Sequence, residues 1–154
     1  MKLQYIKGDA TNPIGQGNKA IIHICNNLGG WGAGFVKAIS RKWAAPEIAY
    51  RKWFKTGSYN NTKFQLGEIQ IVKVEQNLSI INMIAQNGYS TARVPAIDYK
   101  ALEVCLNKVA EYIQKENCSI HAPRIGAGLA GGKWDIIEEL IDKTITGKVF
   151  IYDL

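Results

Sequence analysis

The chain has 154 residues, 47% hydrophobic and 21% charged, with a net charge of +6 and a pI of about 9.2. At that length roughly two-thirds of the unfolded surface can be buried, so a single domain over 1–154 is expected to be stable without disulfides or metal. Composition excludes collagen-like and low-complexity classes, and no run of ~18 uninterrupted apolar residues indicates a membrane-spanning helix.

Residues 3–7 read as a first strand, with Met1 and Lys2 leading into it and no long apolar region of a secretion signal. Gly8-Asp9-Ala10-Thr11-Asn12-Pro13 then breaks the strand. Ala20-Ile21-Ile22-His23-Ile24-Cys25 is a short apolar run suited to a buried strand. A glycine-rich loop follows, and a helix begins at Phe35. Pro46 suits the first turn of a second helix, which continues through Phe54. Residues 67–74 and 78–85 are two strands around a turn at Gln76-Asn77, too tightly joined for a crossover, so at least one antiparallel pair is expected.

Asp98 is an expected N-cap, and Ala101, Leu102, Cys105, Val109 and Ile113 recur behind it at helical spacing. Residues 119–122 form another strand, followed by a second glycine-rich loop, a helix over 135–143 capped by Gly147, and a closing strand over 148–152. Strands alternating with helices imply a three-layer α/β/α domain with a mixed central sheet.

Two loops carry the chemistry. Asn26-Asn27-Leu28-Gly29-Gly30-Trp31-Gly32-Ala33-Gly34-Phe35 has four glycines in six residues between a strand and a helix. Bare backbone there lets N–H groups approach a phosphate at the positive helix end. Pro123-Arg124-Ile125-Gly126-Ala127-Gly128-Leu129-Ala130-Gly131-Gly132 repeats the arrangement. Its GxGxxG spacing is not a Rossmann fingerprint, because only 23 residues follow Gly131. Two such loops at the carboxyl edge of parallel strands suit a diphosphate. Asp9, in a turn after the first strand, could accept from an exocyclic amine; a simple Asx turn accounts for it as well.

In this order, the segments resemble the macrodomain family over nearly the whole chain. The resemblance implies ADP-ribose or a derivative as ligand, with Asp9 and Ala10 at adenine. It places Asn27, Gly30, Trp31, Gly32, Ala33, Gly34 and Phe35 in the first phosphate and distal-ribose loop. Arg124, Ile125, Gly126, Ala127, Gly128, Leu129 and Ala130 fall in or beside the second, and Tyr152 stacks on adenine. The detailed pattern is most like the branch containing the terminal ADP-ribose glycohydrolase and, as a related comparison, the yeast ADP-ribose-1″-phosphate phosphatase. The lysine and aspartate used by the glycohydrolase are missing: Ile84-Ala85-Gln86-Asn87 has no lysine, and Ala130 stands at the aspartate position.

The phosphatase has a histidine like His23, so the resemblance makes His23 the catalytic candidate, a base for water if it lies near the distal ribose and titrates near neutrality, with Asn26 holding ribose hydroxyls. They would serve hydrolysis of an ADP-ribose-1″-phosphate or an ADP-ribosyl ester. The competing readings are a non-catalytic ADP-ribose reader, RNA or poly(ADP-ribose) binding supported only by charge, and, for His23 itself, a buried structural histidine. Three cysteines at irregular spacing and two histidines suggest no metal site, and no cofactor is expected. A cytoplasmic setting is expected, with an ADP-ribosylated protein as a candidate partner. The basic residues Lys37, Arg41, Lys42, Arg51, Lys52, Lys55, Lys63 and Lys73 look scattered along the chain, so nucleic acid is not an expected partner.

Overall fold

The computed structural model describes residues 3–91 and 93–154; Met1 and Lys2, expected to lead into the first strand, lie outside the described residues. Twelve elements follow one another: β1 (Leu3–Lys7), β2 (Asn18–Asn26), α1 (Phe35–Lys42), α2 (Ala45–Thr56), β3 (Ser58–Tyr59), β4 (Thr62–Lys63), β5 (Ile69–Glu75), β6 (Leu78–Gln86), α3 (Tyr99–Glu116), β7 (Cys118–Ala122), α4 (Trp134–Thr144) and β8 (Val149–Asp153). Six strands form one sheet in the order β1-β8-β7-β2-β6-β5. All neighbours are parallel except β5 and β6, the tightly joined antiparallel pair expected from sequence.

Alternation along β2 and β6 divides the core. Ile21, Cys25, Ile80 and Ile84 face Val36, Ile39, Tyr50 and Trp53 of α1 and α2. Ile22, Ile81, Met83 and Ala85 face Leu102, Cys105, Leu106 and Ile137 of α3 and α4. This is the pattern of a sheet covered on both faces, with successive side chains pointing to opposite sides. Asp98 caps α3 by accepting from the Ala101 N–H at 2.9 Å, and Pro46 sits in the first turn of α2.

Two local features differ from the sequence reading. Gly147 does not cap α4: the helix stops at Thr144, and Ile145 turns into extended backbone with φ −104°. The β3–β4 hairpin carries no strand signal of its own in the sequence; its tip, Asn60-Asn61, takes positive φ at both positions, the geometry of a type I′ turn.

Candidate functional site

Because β2, β6 and β7 run parallel and side by side, the loops that follow them open at the same sheet edge. Together they enclose a cleft of about 610 Å³. The first loop contributes Asn26, Gly30, Trp31, Gly32, Ala33, Gly34 and Phe35. The second contributes Arg124, Ile125, Gly126, Gly128, Leu129 and Ala130, and His23 lies in the wall. The structure thus brings together most residues named from the two loops. Asp9, Ala10, Asn27, Ala127 and Tyr152 are not in its lining.

The glycines divide by what a side chain would meet. Gly29 and Gly34 have φ +79° and +81°, and a Cβ on Gly29 would strike the Phe54 ring. Gly126 has φ +72°, with Ile97 Cδ1 2.5 Å from where its Cβ would lie, and a Cβ on Gly132 would sit 2.6 Å from the Gly126 carbonyl. Those glycines serve turn and packing. Gly32 and Gly128 face open space, so at these two positions a bare backbone is left for something in the cleft to approach. The start of α1, Gly34 to Val36, lines the cleft, and its N-cap Gly34 supplies no side-chain cap, so the positive end of the helix borders the opening uncapped.

Asn26 holds the first loop in shape. Its Oδ1 accepts from the Leu28 N–H (2.8 Å), the Gly30 N–H (3.1 Å) and the Tyr50 hydroxyl (3.0 Å), and its Nδ2 donates to the Gly30 carbonyl at 3.0 Å. This commits most of its capacity to the loop instead of to a ribose. Asn27 donates to Asn87 Oδ1 and accepts from the Gly88 N–H, tying the first loop to the segment after β6.

His23 is 2% exposed. Its Nε2 lies 2.5 Å from Asn82 Oδ1. Asn82 Nδ2 donates to Gln70 Oε1 and to the Pro46 carbonyl, so Oδ1 is the acceptor and His23 Nε2 carries the proton. Trp31 meets the ring edge-on at 5.3 Å. Burial pushes the imidazole down to about 4, only partly offset by the Asn82 bond. The expected titration near neutrality is therefore corrected: His23 is neutral there, with Nδ1 as its basic atom, 4.0 Å from Cys25 Sγ. That thiol lies well above its ordinary range through burial and is chemically quiet.

Tyr152 is placed differently from expectation. It is 4% exposed; its hydroxyl accepts from the Ile14 N–H at 3.0 Å and shares a 2.7 Å hydrogen bond with His121 Nδ1. A buried, bonded ring has no free face for a base. Asp9 is exposed and accepts from the Thr11 N–H and hydroxyl, both at 2.8 Å; these bonds, aided by Lys42 and Arg41, hold its carboxyl below the usual range. Arg124 makes a bidentate pair with Asp153 and lies over the rings of Tyr5 and Trp134.

The third wall was missed from sequence. Gln86, Tyr89 and Ser90, at and after the end of β6, line the cleft. Tyr89 is 61% exposed and its hydroxyl lies against Gly30. Ser90 donates to the Leu129 carbonyl at 2.8 Å, joining this wall to the second loop. The segment has no glycine cluster to mark it; the available signal was the parallel pairing of β6 with β2, which sets Gln86 beside Asn26. No group of three or more potential metal-ligating side chains occurs among the described residues.

No protein-family model matches the sequence. A macrodomain protein of Streptomyces coelicolor is similar over 99% of both chains, with 42% identity and a TM-score of 0.86. The chain belongs to the macrodomain family. A Bacteroides thetaiotaomicron protein of unknown function is similar to this macrodomain at 48% identity and TM-score 0.94, over 100% of this chain and 99% of that one. The ADP-ribose 1″-phosphate phosphatase of Candida albicans is 26% identical over 92% of each chain. The fold expected from sequence, a three-layer α/β/α macrodomain with a mixed sheet, is the one observed.

Proposed function

We propose that the cleft binds ADP-ribose or a derivative of it and hydrolyses an ADP-ribose-1″-phosphate or ADP-ribosyl ester linkage. One observation carries this reading: two loops after adjacent parallel strands each leave one glycine, Gly32 and Gly128, facing open space in a shared cleft. Such a pair of bare backbone stretches suits a diphosphate. The likeness to the Candida albicans phosphatase supports the choice of linkage. In this reading backbone N–H groups of the loops stabilise charge on the leaving group, and His23 Nδ1 accepts a proton from water. Asn26 shapes the loop that holds the distal ribose. Asp9 serves the adenine end from the turn after β1.

A second reading, a reader of ADP-ribose without chemistry, is favoured by the burial of His23 and its bond to Asn82. Incubation with ADP-ribose-1″-phosphate and with an ADP-ribosylated carboxylate separates the two. Released phosphate or ADP-ribose is the expected result. Tight ADP-ribose binding without release establishes the reader, and no binding at all removes both readings.

A further inference from the structure

The basic residues concentrate in one stretch of the chain, and the fold gathers that stretch into one layer. Residues 37–63 contain Lys37, Arg41, Lys42, Arg51, Lys52, Lys55 and Lys63 against a single carboxylate, Glu47. That segment carries a net +6, equal to the charge of the whole chain, and the remainder has twelve cations and twelve carboxylates. It comprises α1, α2 and the β3–β4 hairpin, all in one layer. α1 buries Val36 and Ile39, and α2 buries Pro46, Tyr50 and Trp53, so their other sides face solvent and all seven cations are exposed. Glu47 is half-buried and occupied by Arg51 and Ser40. The opposite layer has the reverse balance, with four lysines against seven carboxylates on α3 and α4.

We infer that the α1–α2 layer, with its hairpin, is a docking surface for the phosphodiester backbone of a nucleic acid. Besides Glu47, the surface meets the Asp9 carboxylate beside Lys42 and Arg41, which leaves a large excess of exposed cations, matched by the partner with the highest linear charge density. The hairpin tip adds exposed amides, Asn60 and Asn61, which are donors for phosphate oxygens. A membrane would need apolar anchors beside the charges. The exposed large apolar side chains of the layer are Ile48 and Phe54, and Phe54 is engaged with Phe64 and packed on Gly29. The surface borders the cleft, since Arg51 Nη1 donates to the Gly29 carbonyl at 3.0 Å. The inference stands on charge and exposure and does not rest on the ligand proposed for the cleft.

Fluorescence anisotropy with a labelled DNA duplex and a labelled single-stranded RNA, over a salt series, tests it. The wild type is expected to bind at about 50 mM salt and to lose affinity steeply as salt rises. The charge reversal Lys37→Glu/Arg41→Glu/Lys52→Glu/Lys55→Glu is expected to weaken binding by roughly 100-fold and to flatten the salt slope by about one for each phosphate no longer neutralised. For a comparison at equal charge, Lys52→Glu/Lys55→Glu is set against Lys100→Glu/Lys115→Glu on α3, which should leave binding within about twofold. If the quadruple variant melts early, the neutralisation Lys52→Gln/Lys55→Gln replaces it, with a smaller loss in the same direction. Wild type that binds neither probe, equal losses from both layers, or tighter binding to phosphatidylserine vesicles than to either nucleic acid overturns the assignment.

Discussion

His23 illustrates how one buried side chain fixes what the cleft can do. Its proton sits on Nε2, bound to Asn82, and burial keeps the ring neutral down to about pH 4. If Nδ1 is the base, turnover should rise through about pH 4 and stay level across neutrality, with no limb near 6.5. His23→Ala should lower kcat by ~10²–10⁴ with KM little changed. Loss of binding together with an early melt would instead mark His23 as a packing residue. Tyr152 permits a cleaner test, because its hydroxyl serves the Ile14 N–H and His121. Tyr152→Phe should cost about 1–3 kcal/mol of stability, the usual loss when buried partners are left unpaired, while ADP-ribose affinity by calorimetry stays the same. A folded Tyr152→Ala variant that loses ~1–3 kcal/mol of ADP-ribose affinity while Tyr152→Phe does not would restore the stacking role that its place near the end of β8 suggests. For Asp9, in the turn at the carboxyl end of β1, Asp9→Ala should weaken ADP-ribose binding by ~1–3 kcal/mol. Unchanged calorimetric affinity in a folded variant removes it from the site.

At the scale of the elements, the glycine loops make a paired prediction. Gly128 lies outside the left-handed φ region and has nothing within 4 Å of a Cβ, whereas Gly126 has φ +72° and three isoleucines around it. Gly128→Val should leave the melt almost unchanged and abolish ligand binding. Gly126→Ala should destabilise the fold by more than about 1 kcal/mol, through strained backbone and a clash with Ile97. A Gly128→Val protein that melts normally and binds ADP-ribose would remove the phosphate role from this loop. The loops were legible in sequence because glycine density between an apolar strand and a helix is a local signal. So was the division of the sheet, since Ile21 and Ile22 must face opposite layers. Tyr89 and Ser90 were not legible, because their place depends on β6 pairing with β2 across some 60 residues of chain. The burial of Tyr152 was not legible either: alternation allows a surface or a core position there, and its bond to His121, from β7, goes with the core position.

For the molecule as a whole, acid sensitivity follows from its two histidines. His23 and His121 lie on adjacent strands on the same side of the sheet, where Ile21 pairs with His121. Both are pushed down to about 4, His23 by burial and His121 by burial and the positive Lys19. In the unfolded chain each takes up a proton near its ordinary 6.5. Between those values the unfolded state binds more protons, so stability rises with pH through that window and is lost as pH falls through it. The full difference corresponds to roughly 3 kcal/mol per histidine, an order-of-magnitude figure. The lowered carboxyls of Asp9, exposed, and Asp153, half-buried, act only below their ordinary range and are screened by solvent, so they contribute little. Melting temperature should therefore be level above about pH 7 and drop markedly by about pH 4.5, before most carboxylates are protonated. His121→Gln keeps polar atoms for Tyr152 and Ser119 but cannot titrate. It should remove about half of the drop at fixed salt. A wild-type melt that is level from pH 7 to about 4.5, or a His121→Gln variant as acid-sensitive as the wild type, would show that the buried imidazoles do not set the acid limit.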